Sequence, residues 1–327
     1  MSKSEKRILF RADGSAEIGL GHQVRSLALA NMLRKEFECL LCASQVSELI
    51  IAMAASYDIK IITLKQTNHW SEFLEILCEG DIVVLDNYFF NSSHQLDIKV
   101  KKCSLVTLDD LNQFYFYADV VINHSPLAKA GEYLKEEYTK VFTGLDYVLL
   151  RKVFFQNKYV GGPQSKKNPI VICFGGSDYH NISLKVAQNL ISMGIKNELY
   201  LIIGSANIHY EQLRSLEIEH KQVKVFSNLL EDSVAELLLN SSLLIAPASG
   251  ILLEAIALGV PFLSGYYAEN QIGLASFFLE NDEAIIGNFI SENITNSDIN
   301  KAMLNRNRGS LIDGKSPERL LKVFKSL

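Results

Sequence analysis

Two glycines, a histidine and an arginine follow closely after the first apolar run of the chain, within the stretch RADGSAEIGLGHQVRSLALA at 11–30. They are Gly19, Gly21, His22 and Arg25. Glycine lets a backbone approach a ligand closely, the N–H groups of a helix's first turn attract anions, and a histidine can be neutral or charged near physiological pH. The stretch is therefore either a glycine turn with a capping histidine or half of an active site, and the residues alone leave both open.

This glycine pattern is not the dinucleotide-binding fingerprint, because Val24 occupies the position of the third glycine. No acidic residue for a ribose is clearly placed after the second apolar run, ECLLCA at 38–43. A nicotinamide or flavin cofactor is therefore not indicated.

Polar residues also follow two later apolar runs. They are Asp86, Asn87 and Tyr88 at the end of DIVVLDNY, and Asp109 and Asp110 at the end of CSLVTLDD. Groups at the carboxyl ends of parallel strands point into the ligand cleft of a doubly wound fold. Asp and Asn are equally common in ordinary turns, and one of the two adjacent carboxylates is expected to be a helix cap or turn residue.

Glycine, serine and acidic residues recur at predicted strand-to-helix turns in the second half of the chain. They are Gly175, Gly176, Ser177 and Asp178, then Ser249, Gly250 and Glu254, and finally Asn270 and Gln271 at the head of a helix. Such turns suit a phosphate or diphosphate, and a carboxylate in the apolar segment around Glu254 needs a partner such as a ribose diol. Plain turns with Ser177 or Asp178 as a cap, an exposed glutamate and a solvated helix start are the alternatives. No G-K-[ST] follows the glycines, so ATP hydrolysis is not indicated.

Short apolar runs alternate with amphipathic segments along the chain, which predicts parallel sheets covered by helices on both faces. The predicted strands are RILF (7–10), ECLLCA (38–43), IKIITL (59–64), DIVVLD (81–86), CSLVTLD (103–109), DVVIN (119–123), PIVICFGG (169–176), ELYLIIG (198–204), QVKVFSN (222–228) and LLIAPA (243–248). The segment QNKYVGGPQSKKNP at 156–169 is the predicted linker.

We therefore expect an N-terminal Rossmann-like domain at 1–155 and a second at 168–315, with a C-terminal helix at 316–327 that packs back on the first. The expected fold class is α/β, with two doubly wound parallel-sheet domains and an intervening cleft.

Composition limits the partners and the compartment. The chain has 327 residues, 48% of them hydrophobic, and a net charge of -5 without a basic stripe, so nucleic acid is not an indicated partner. A polar start, MSKSEKR, and apolar runs shorter than the roughly 20 residues of a membrane span predict a cytoplasmic protein without membrane insertion. The five cysteines are expected to be buried and reduced, and no cluster of metal ligands is apparent. The oligomeric state is not indicated.

Six stretches of the chain together resemble a known family. RADGSAEIGLGHQVRSLALA, LDNY, LDD, CFGGSD, SGILLEA and ENQ occur in the order seen in the PseG-like UDP-sugar hydrolases. Those enzymes are relatives of the MurG-type glycosyltransferases and share their GT-B arrangement of two Rossmann-like domains. The resemblance implies hydrolysis of UDP-2,4-diacetamido-2,4,6-trideoxy-β-L-altropyranose to UDP and the free sugar in pseudaminic acid biosynthesis, with no cofactor and no metal.

The resemblance also implies roles for single residues. His22 is the expected base for the attacking water, with Tyr88 and Asn270 as further catalytic residues. In the first domain, the residues expected to bind the UDP-sugar are Arg11, Asp13, Gly19, Gly21, Arg25, Asp86, Asn87, Asp109 and Arg151. In the second domain, they are Gly175, Gly176, Ser177, Asp178, Ser249, Gly250, Glu254 and Gln271. Asn87 stands where the family has a histidine, so a neighbouring hydrolase with a different diacetamido sugar is an alternative.

A MurG-like glycosyltransferase, which uses a sugar or lipid acceptor in place of water, is the main alternative function. A basic, apolar membrane-facing patch on the first domain would favour it, and the sequence contains no clear one. A non-catalytic UDP-sugar-binding protein would lack His22 and Tyr88, and both are present. A UDP-sugar 2-epimerase of the same architecture is a third alternative.

Overall fold

The chain forms two compact units. The computed structural model describes residues 6–14, 19–156, 168–204, 207–280, 294–304 and 311–327, together with the backbone of a strand at 285–288. The first unit contains the N-terminal strand, Leu20–Lys152 and Gly314–Leu327, and the second contains Val153–Asp313 together with the short segment Ala16–Gly19. Most of the predicted linker, residues 157–167, lies outside the described residues.

The described part of the first unit is built on a seven-stranded parallel sheet in the order β3-β2-β1-β4-β5-β6-β7. The strands are β1 (Arg7–Ala12), β2 (Glu38–Ala43), β3 (Lys60–Thr63), β4 (Ile82–Asp86), β5 (Ser104–Leu108), β6 (Val120–Asn123) and β7 (Lys140–Thr143). The helices are α1 (Gly21–Leu33), α2 (Glu48–Ser56), α3 (His69–Ile76), α4 (Ser92–Val100) and, from the C-terminus, α12 (Ser316–Lys325). Because β1 pairs with both β2 and β4, the strand order reverses there, which is where ligands bind in doubly wound sheets.

Both faces of this sheet are apolar. Successive residues of a strand point to opposite faces: on β1, Phe10 packs in the layer that contains α1, whereas Leu9 packs in the layer that contains α3. All residues of β4 are buried. Burial on both faces is the reason why near-continuous apolar runs mark these strands in the sequence.

The C-terminal helix α12 packs on the first unit. Leu320, Val323 and Phe324 lie in the same apolar layer as α1. The Ser316 hydroxyl donates a hydrogen bond of 2.6 Å to the carbonyl of Val148. The end of the chain therefore contributes to the core of the first unit.

The described part of the second unit contains a six-stranded parallel sheet in the order β10-β9-β8-β11-β12-β13. The strands are β8 (Ile170–Ile172), β9 (Leu199–Ile203), β10 (Val223–Ser227), β11 (Leu243–Pro247), β12 (Phe262–Tyr266) and β13 (Ile285–Asn288). The helices are α5 (Val153–Gln156), α6 (Ile182–Ser192), α7 (Tyr210–Glu219), α8 (Glu231–Leu239), α9 (Gly250–Leu258), α10 (Glu269–Glu280) and α11 (Asn296–Leu304). The strand order reverses between β8 and β11, as it does between β1 and β4. The expected α/β class with two doubly wound parallel sheets is confirmed.

The cysteines differ in one respect from the expectation. Four of the five are buried, but Cys78 is exposed. It lies in the connection between α3 and β4, and such connections run over the surface of a domain. The prediction of buried cysteines was wrong at this position.

Candidate active site

His22 and Asp86 meet at the carboxyl ends of the two central strands of the first unit. Asp86 pairs with Ala12 at the end of β1, and His22 is the second residue of the helix that follows. The Nδ1 atom of His22 lies 2.7 Å from Oδ1 of Asp86, and the residues are 5% and 0% exposed. Because a carboxylate only accepts hydrogen bonds, Nδ1 donates to it, and in the neutral ring Nε2 is the nitrogen with the lone pair. The pair is therefore arranged to act as a general base through Nε2.

Arg25, one turn further along α1, bridges two carboxylates. Its Nε and Nη2 donate to Asp86 at 2.8 and 2.6 Å, and its Nη1 donates to the two oxygens of Asp110 at 2.7 and 2.9 Å. Ser26 Oγ also donates to Asp86, at 3.1 Å. Burial alone would raise the pKa of both carboxyls, but the charge and hydrogen bonds of Arg25, together with the neighbouring histidines, outweigh it and hold the pKa of Asp86 and of Asp110 below the usual range. Both carboxyls are therefore ionised at neutral pH.

The two carboxylates in turn keep Arg25 in its charged form. Burial alone would lower its pKa, but the charges of Asp110 and Asp86 outweigh that effect and raise it. The guanidinium is 14% exposed, so these charge-assisted hydrogen bonds lie largely out of water.

Tyr88 lies over His22 and reaches the same cluster. The two rings meet edge to face with centroids 4.6 Å apart. The hydroxyl of Tyr88 donates to Oδ2 of Asp110 at 3.1 Å, and 38% of the residue is exposed. A phenol in this position can contact both a ligand and the base.

Asn87 joins the loops that follow β4 and β1. Its Oδ1 accepts from the backbone N–H of Asp13 at 2.6 Å, and its Nδ2 donates to the carbonyl of the same residue at 3.3 Å. The two nitrogens of an imidazole point in diverging directions, whereas the oxygen and nitrogen of an amide lie side by side. The asparagine, at the position where the resemblance has a histidine, is thus suited to this double hydrogen bond.

Arg11 and Asp13 form an ion pair inside the first unit. Nη2 of Arg11 lies 2.7 Å from Oδ2 of Asp13 and 2.9 Å from Nδ1 of His69. Oδ1 of Asp13 accepts from the backbone N–H of Ser44 at 2.6 Å. Burial alone would raise the pKa of Asp13, but the hydrogen bond and charge of Arg11 lower it overall. Arg11 is 0% exposed, so the structure places it as a support for these loops and not at a surface open to a ligand.

Asp109 faces away from the His22 cluster. Its carboxylate accepts from the Tyr133 hydroxyl at 2.9 Å and from the backbone N–H of Asn112 at 3.0 Å, and burial raises its pKa. Asp110, the next residue, binds Arg25 instead. β5 ends at Leu108 and the chain bends at Asp110, and the two adjacent carboxylates have separate partners.

The two glycines before His22 leave room beside the backbone. Gly19 has a φ of +75°, a left-handed conformation that favours glycine. At Gly21, no described atom lies within 4 Å of where a Cβ would stand. Arg151, a further predicted binding residue, is partly exposed and follows the buried residues Val148 to Leu150.

Sequence reasoning missed Ser26 and His124, which the structure places around this cluster, and it singled out Asp110 beside Asp109 without assigning it to the substrate. Ser26 is four residues after His22 and hence on the same face of α1. Asp110 and His124 directly follow the ends of β5 and β6, neighbours in the sheet. Burial and the charge of Arg25 lower the pKa of His124 to about 4, so this imidazole is neutral at neutral pH. The sequence signal for both was a polar residue after an apolar run.

In the second unit, the glycine turn after β8 is followed by a helix cap. Gly175 has a φ of +87° and is exposed, and Gly176 and Ser177 are partly exposed. Asp178 is 2% exposed and accepts from the backbone N–H groups of Ile182 and Ser183 at 2.8 Å each. The Asp178 side chain therefore caps the start of α6, as the alternative interpretation of this turn predicted. The turn at Gly175–Ser177 before it stays accessible.

The starts of α9 and α10 hold the remaining predicted residues. Ser249 precedes α9 without a side-chain hydrogen bond to cap it, although its carbonyl accepts from the backbone N–H of Leu252 at 3.0 Å, and Gly250, the first residue of the helix, is exposed. Glu254 is 5% exposed. Gln271 is buried and its Oε1 accepts from the backbone N–H of Tyr267 at 3.0 Å, whereas Asn270 is exposed.

The chain is similar in sequence to an enzyme of known reaction. It is 26% identical over 279 residues to the UDP-2,4-diacetamido-2,4,6-trideoxy-β-L-altropyranose hydrolase of Campylobacter jejuni, a match that covers 83% of this chain and 95% of that enzyme. The resemblance seen in the sequence motifs is confirmed. No protein-family model matches the chain.

Two other relatives carry less functional information. The chain is 28% identical over 276 residues to the uncharacterized protein MJ1062 of Methanocaldococcus jannaschii, a match of 81% of this chain that spans only 56% of the relative. It is 24% identical over 345 residues to the spore coat polysaccharide biosynthesis protein SpsG of Bacillus subtilis, with 97% of each chain covered.

Solved structures share the fold. Anabaena HepE in complex with UDP-glucose superimposes with a TM-score of 0.66 at 14% identity, covering 98% of this chain and 100% of that one. MurG of Acinetobacter baumannii does so with a TM-score of 0.58 at 13% identity and the same coverage. The fold is that of the GT-B glycosyltransferases.

Two features are absent from the described part of the chain. None of the described helices is long and apolar enough to cross a membrane. Within the described part of the chain, no three His, Cys, Asp or Glu side chains are grouped to hold a metal ion. Metal-independent chemistry stays a prediction.

Proposed function

We propose that this chain is a UDP-sugar hydrolase that acts on a UDP-2,4-diacetamido-2,4,6-trideoxyhexose. Its first candidate substrate is the L-altrose form, and its products are UDP and the free sugar, which would feed biosynthesis of a nonulosonate of the pseudaminic acid type. The observation that carries the proposal is the buried 2.7 Å hydrogen bond between His22 and Asp86 at the switch point of the first sheet. Similarity to the Campylobacter jejuni hydrolase over 95% of that enzyme supports the same reaction class.

In the proposed reaction, water attacks the anomeric carbon of the sugar. Nε2 of His22 takes a proton from the water as its oxygen bonds to C1, and the bond between C1 and the β-phosphate oxygen breaks. The electron pair of that bond leaves with UDP. Asp86 stabilises the imidazolium, because its carboxylate is hydrogen bonded to Nδ1.

The second unit offers groups suited to UDP. The first turn of α9, from Gly250, and the turn at Gly175–Ser177 present backbone N–H groups to a diphosphate. The partial positive charge of a helix N-terminus favours the negative charge that grows on the leaving group, so the proposal needs no metal. Glu254 is assigned to the ribose and Asn270 to the reacting end of the substrate, as the resemblance implies.

The test is UDP release without an acceptor. Purified chain is incubated with UDP-2,4-diacetamido-2,4,6-trideoxy sugars of different stereochemistry and with UDP-N-acetylglucosamine as the matched control, and UDP is quantified. We expect rapid release from one diacetamido sugar and little from the control. UDP binding without release in the absence of an acceptor, and release once a sugar or lipid acceptor is added, would replace the proposal with a MurG-like glycosyltransferase.

A glycine that packs against the second-unit turn provides a test of that turn. A Cβ on Gly204 would stand 2.7 Å from the Cα of Gly176, whose carbonyl accepts from the N–H of Gly204 at 3.1 Å. Gly204→Ala must therefore displace the Gly175–Gly176 turn. We expect weaker UDP binding by about tenfold, since overpacking typically costs about 1–3 kcal/mol.

Calorimetric titration with UDP measures this effect. The matched control is Gly131→Ala in the first unit, where no described atom lies within 4 Å of the new Cβ. Unchanged UDP affinity in a folded Gly204→Ala protein would show that the turn after β8 does not hold the diphosphate.

A further inference from the structure

Asp110 connects two parts of the proposed catalytic cluster. Its carboxylate accepts from Nη1 of Arg25 at 2.7 and 2.9 Å and from the hydroxyl of Tyr88 at 3.1 Å. Arg25 in turn binds Asp86, which holds the base His22. The side chain of Asp110 is 14% exposed, so water weakens these contacts little.

The neighbouring carboxylate has separate partners. Asp109 is held by Tyr133 and by the backbone of the turn at Asn112. Because Asp109 and Asp110 have separate hydrogen-bond partners, a change at Asp110 leaves the Asp109 contacts in place.

The charges around His22 do not balance while its ring is neutral. Among the described residues, the charged and titratable groups of the cluster are Asp86 and Tyr88 from the end of β4, Arg25 from α1, Asp110 after β5 and His124 after β6. Two carboxylates face one guanidinium, since both carboxyls are ionised and His124 is neutral at pH 7. A proton on His22 would neutralise the cluster, so Asp110 supplies the negative charge that Arg25 leaves uncompensated.

We propose that Asp110 is a positioning residue for the hydrolysis. The charge of Asp110 favours proton transfer from water to His22, and its hydrogen bond directs the Tyr88 hydroxyl. This inference rests on the proposed function. Asp110 does not need to touch the sugar: it acts through Arg25 and Tyr88.

The experiment that tests it is the titration of the His22 imidazole, followed by NMR in protein labelled at histidine. Loss of the signal in His22→Gln assigns it. Asp110→Asn is expected to move the midpoint of this titration to lower pH by about half a unit or more, because removal of a nearby negative charge disfavours the protonated ring. The matched control is Asp97→Asn, which removes the same charge from an exposed site on α4 where Asp97 accepts from Trp70 Nε1. It is expected to shift the midpoint by less than about 0.2 unit.

Activity separates the two roles of Asp110. In Asp110→Asn, the acidic limb of kcat/KM should move to lower pH together with the NMR midpoint, and kcat should fall by about tenfold or more. Tyr88→Phe should lower kcat without moving the limb, because it removes a hydroxyl and no charge. Asp110→Glu should restore the midpoint, and Asp110→Ser is the second neutral variant should Asp110→Asn not fold.

Failure of this inference differs from failure of the proposed function. UDP release by the native chain with an unchanged midpoint in folded Asp110→Asn would overturn the role of Asp110. A shifted midpoint in a chain that releases no UDP from any sugar nucleotide would overturn the hydrolase and support the coupling of Asp110 to His22.

Discussion

Replacement of His22 by Asn is expected to reduce UDP release by about 10²- to 10⁴-fold, which is the usual contribution of a general base. An asparagine fills a similar volume and can still hydrogen bond to Asp86, but it has no nitrogen that accepts a proton. Groups of the second unit are assigned to UDP, so the dissociation constant for UDP should stay within about twofold. Initial rates of UDP release and a calorimetric titration with UDP measure the two effects.

The same substitution at another histidine is the control for this prediction. His220 lies at the end of α7 in the second unit, outside the groups assigned to the reaction. His220→Asn should retain the activity of the native chain. Turnover by His22→Asn at more than about a tenth of the native rate would remove His22 from the role of base.

Replacement of Arg25 by Met is expected to destabilise the first unit by about 3–5 kcal/mol at pH 7, the usual effect of removing one partner from a buried ion pair. Without the guanidinium, two carboxylates that are 0% and 14% exposed remain close to each other and charged. The decrease in the free energy of unfolding should exceed that of an ordinary surface substitution. Arg34→Met on the same helix, where Arg34 bonds only within its own turn to Asn31 among the described residues, should cost no more than about 0.5 kcal/mol.

The loss of stability in Arg25→Met should depend on pH in a defined direction. In the native chain the pKa of Asp86 and of Asp110 is lowered by Arg25, so this stabilisation is fully present above about pH 5 and is lost as the pH falls below about 4. In the variant, protonation relieves the repulsion between the two carboxyls. The difference between the native and variant free energies of unfolding should therefore shrink as the pH is lowered.

Urea denaturation at pH 7 and at pH 4.5 measures the free energy of unfolding in both proteins. Equal stability of Arg25→Met and the native chain at pH 7 would mean that water or other groups compensate the two carboxylates. The charge balance on which the role of Asp110 depends would then be wrong.

The central strands could be predicted from the sequence because their burial on both faces requires continuous apolar residues. Three strands were not predicted. β7 lies at the edge of its sheet, with partly exposed residues, and β12 contains Ser264 and Gly265, which weaken the apolar signal. β13 lies at the edge of the second sheet. Edge strands carry less of the pattern on which such predictions depend.

The identity of the base could be proposed from the sequence, but the sequence did not show which neighbouring carboxylates interact with it. His22 follows two glycines at the start of the helix that comes after the first strand, and this arrangement can be recognised in the sequence. Asp109 and Asp110 are adjacent, and only the path of the chain after β5 decides which of them meets Arg25. The sequence-based expectation assigned Asp109 to the substrate, and the structure places Asp110 in the cluster.

The sequence also could not show which charged residues are buried. Arg11 lies on β1 and Asp13 directly follows that strand, and their side chains form an ion pair. Their pairing leaves no exposed surface on Arg11 once His69, from a distant helix, completes the group. A charged pair near a glycine turn resembles a ligand site in the sequence, and three-dimensional contacts are needed to show that its charges are satisfied within the fold.

The most direct test of the central claim is the fate of the water oxygen. The native chain is incubated with the diacetamido UDP-sugar in water enriched in ¹⁸O, without an acceptor, and the products are analysed promptly by mass spectrometry. Attack on C1 by water that His22 activates predicts one ¹⁸O in the free sugar and none in UDP. Incorporation of ¹⁸O into the phosphate, or no release of sugar at all, would contradict the account.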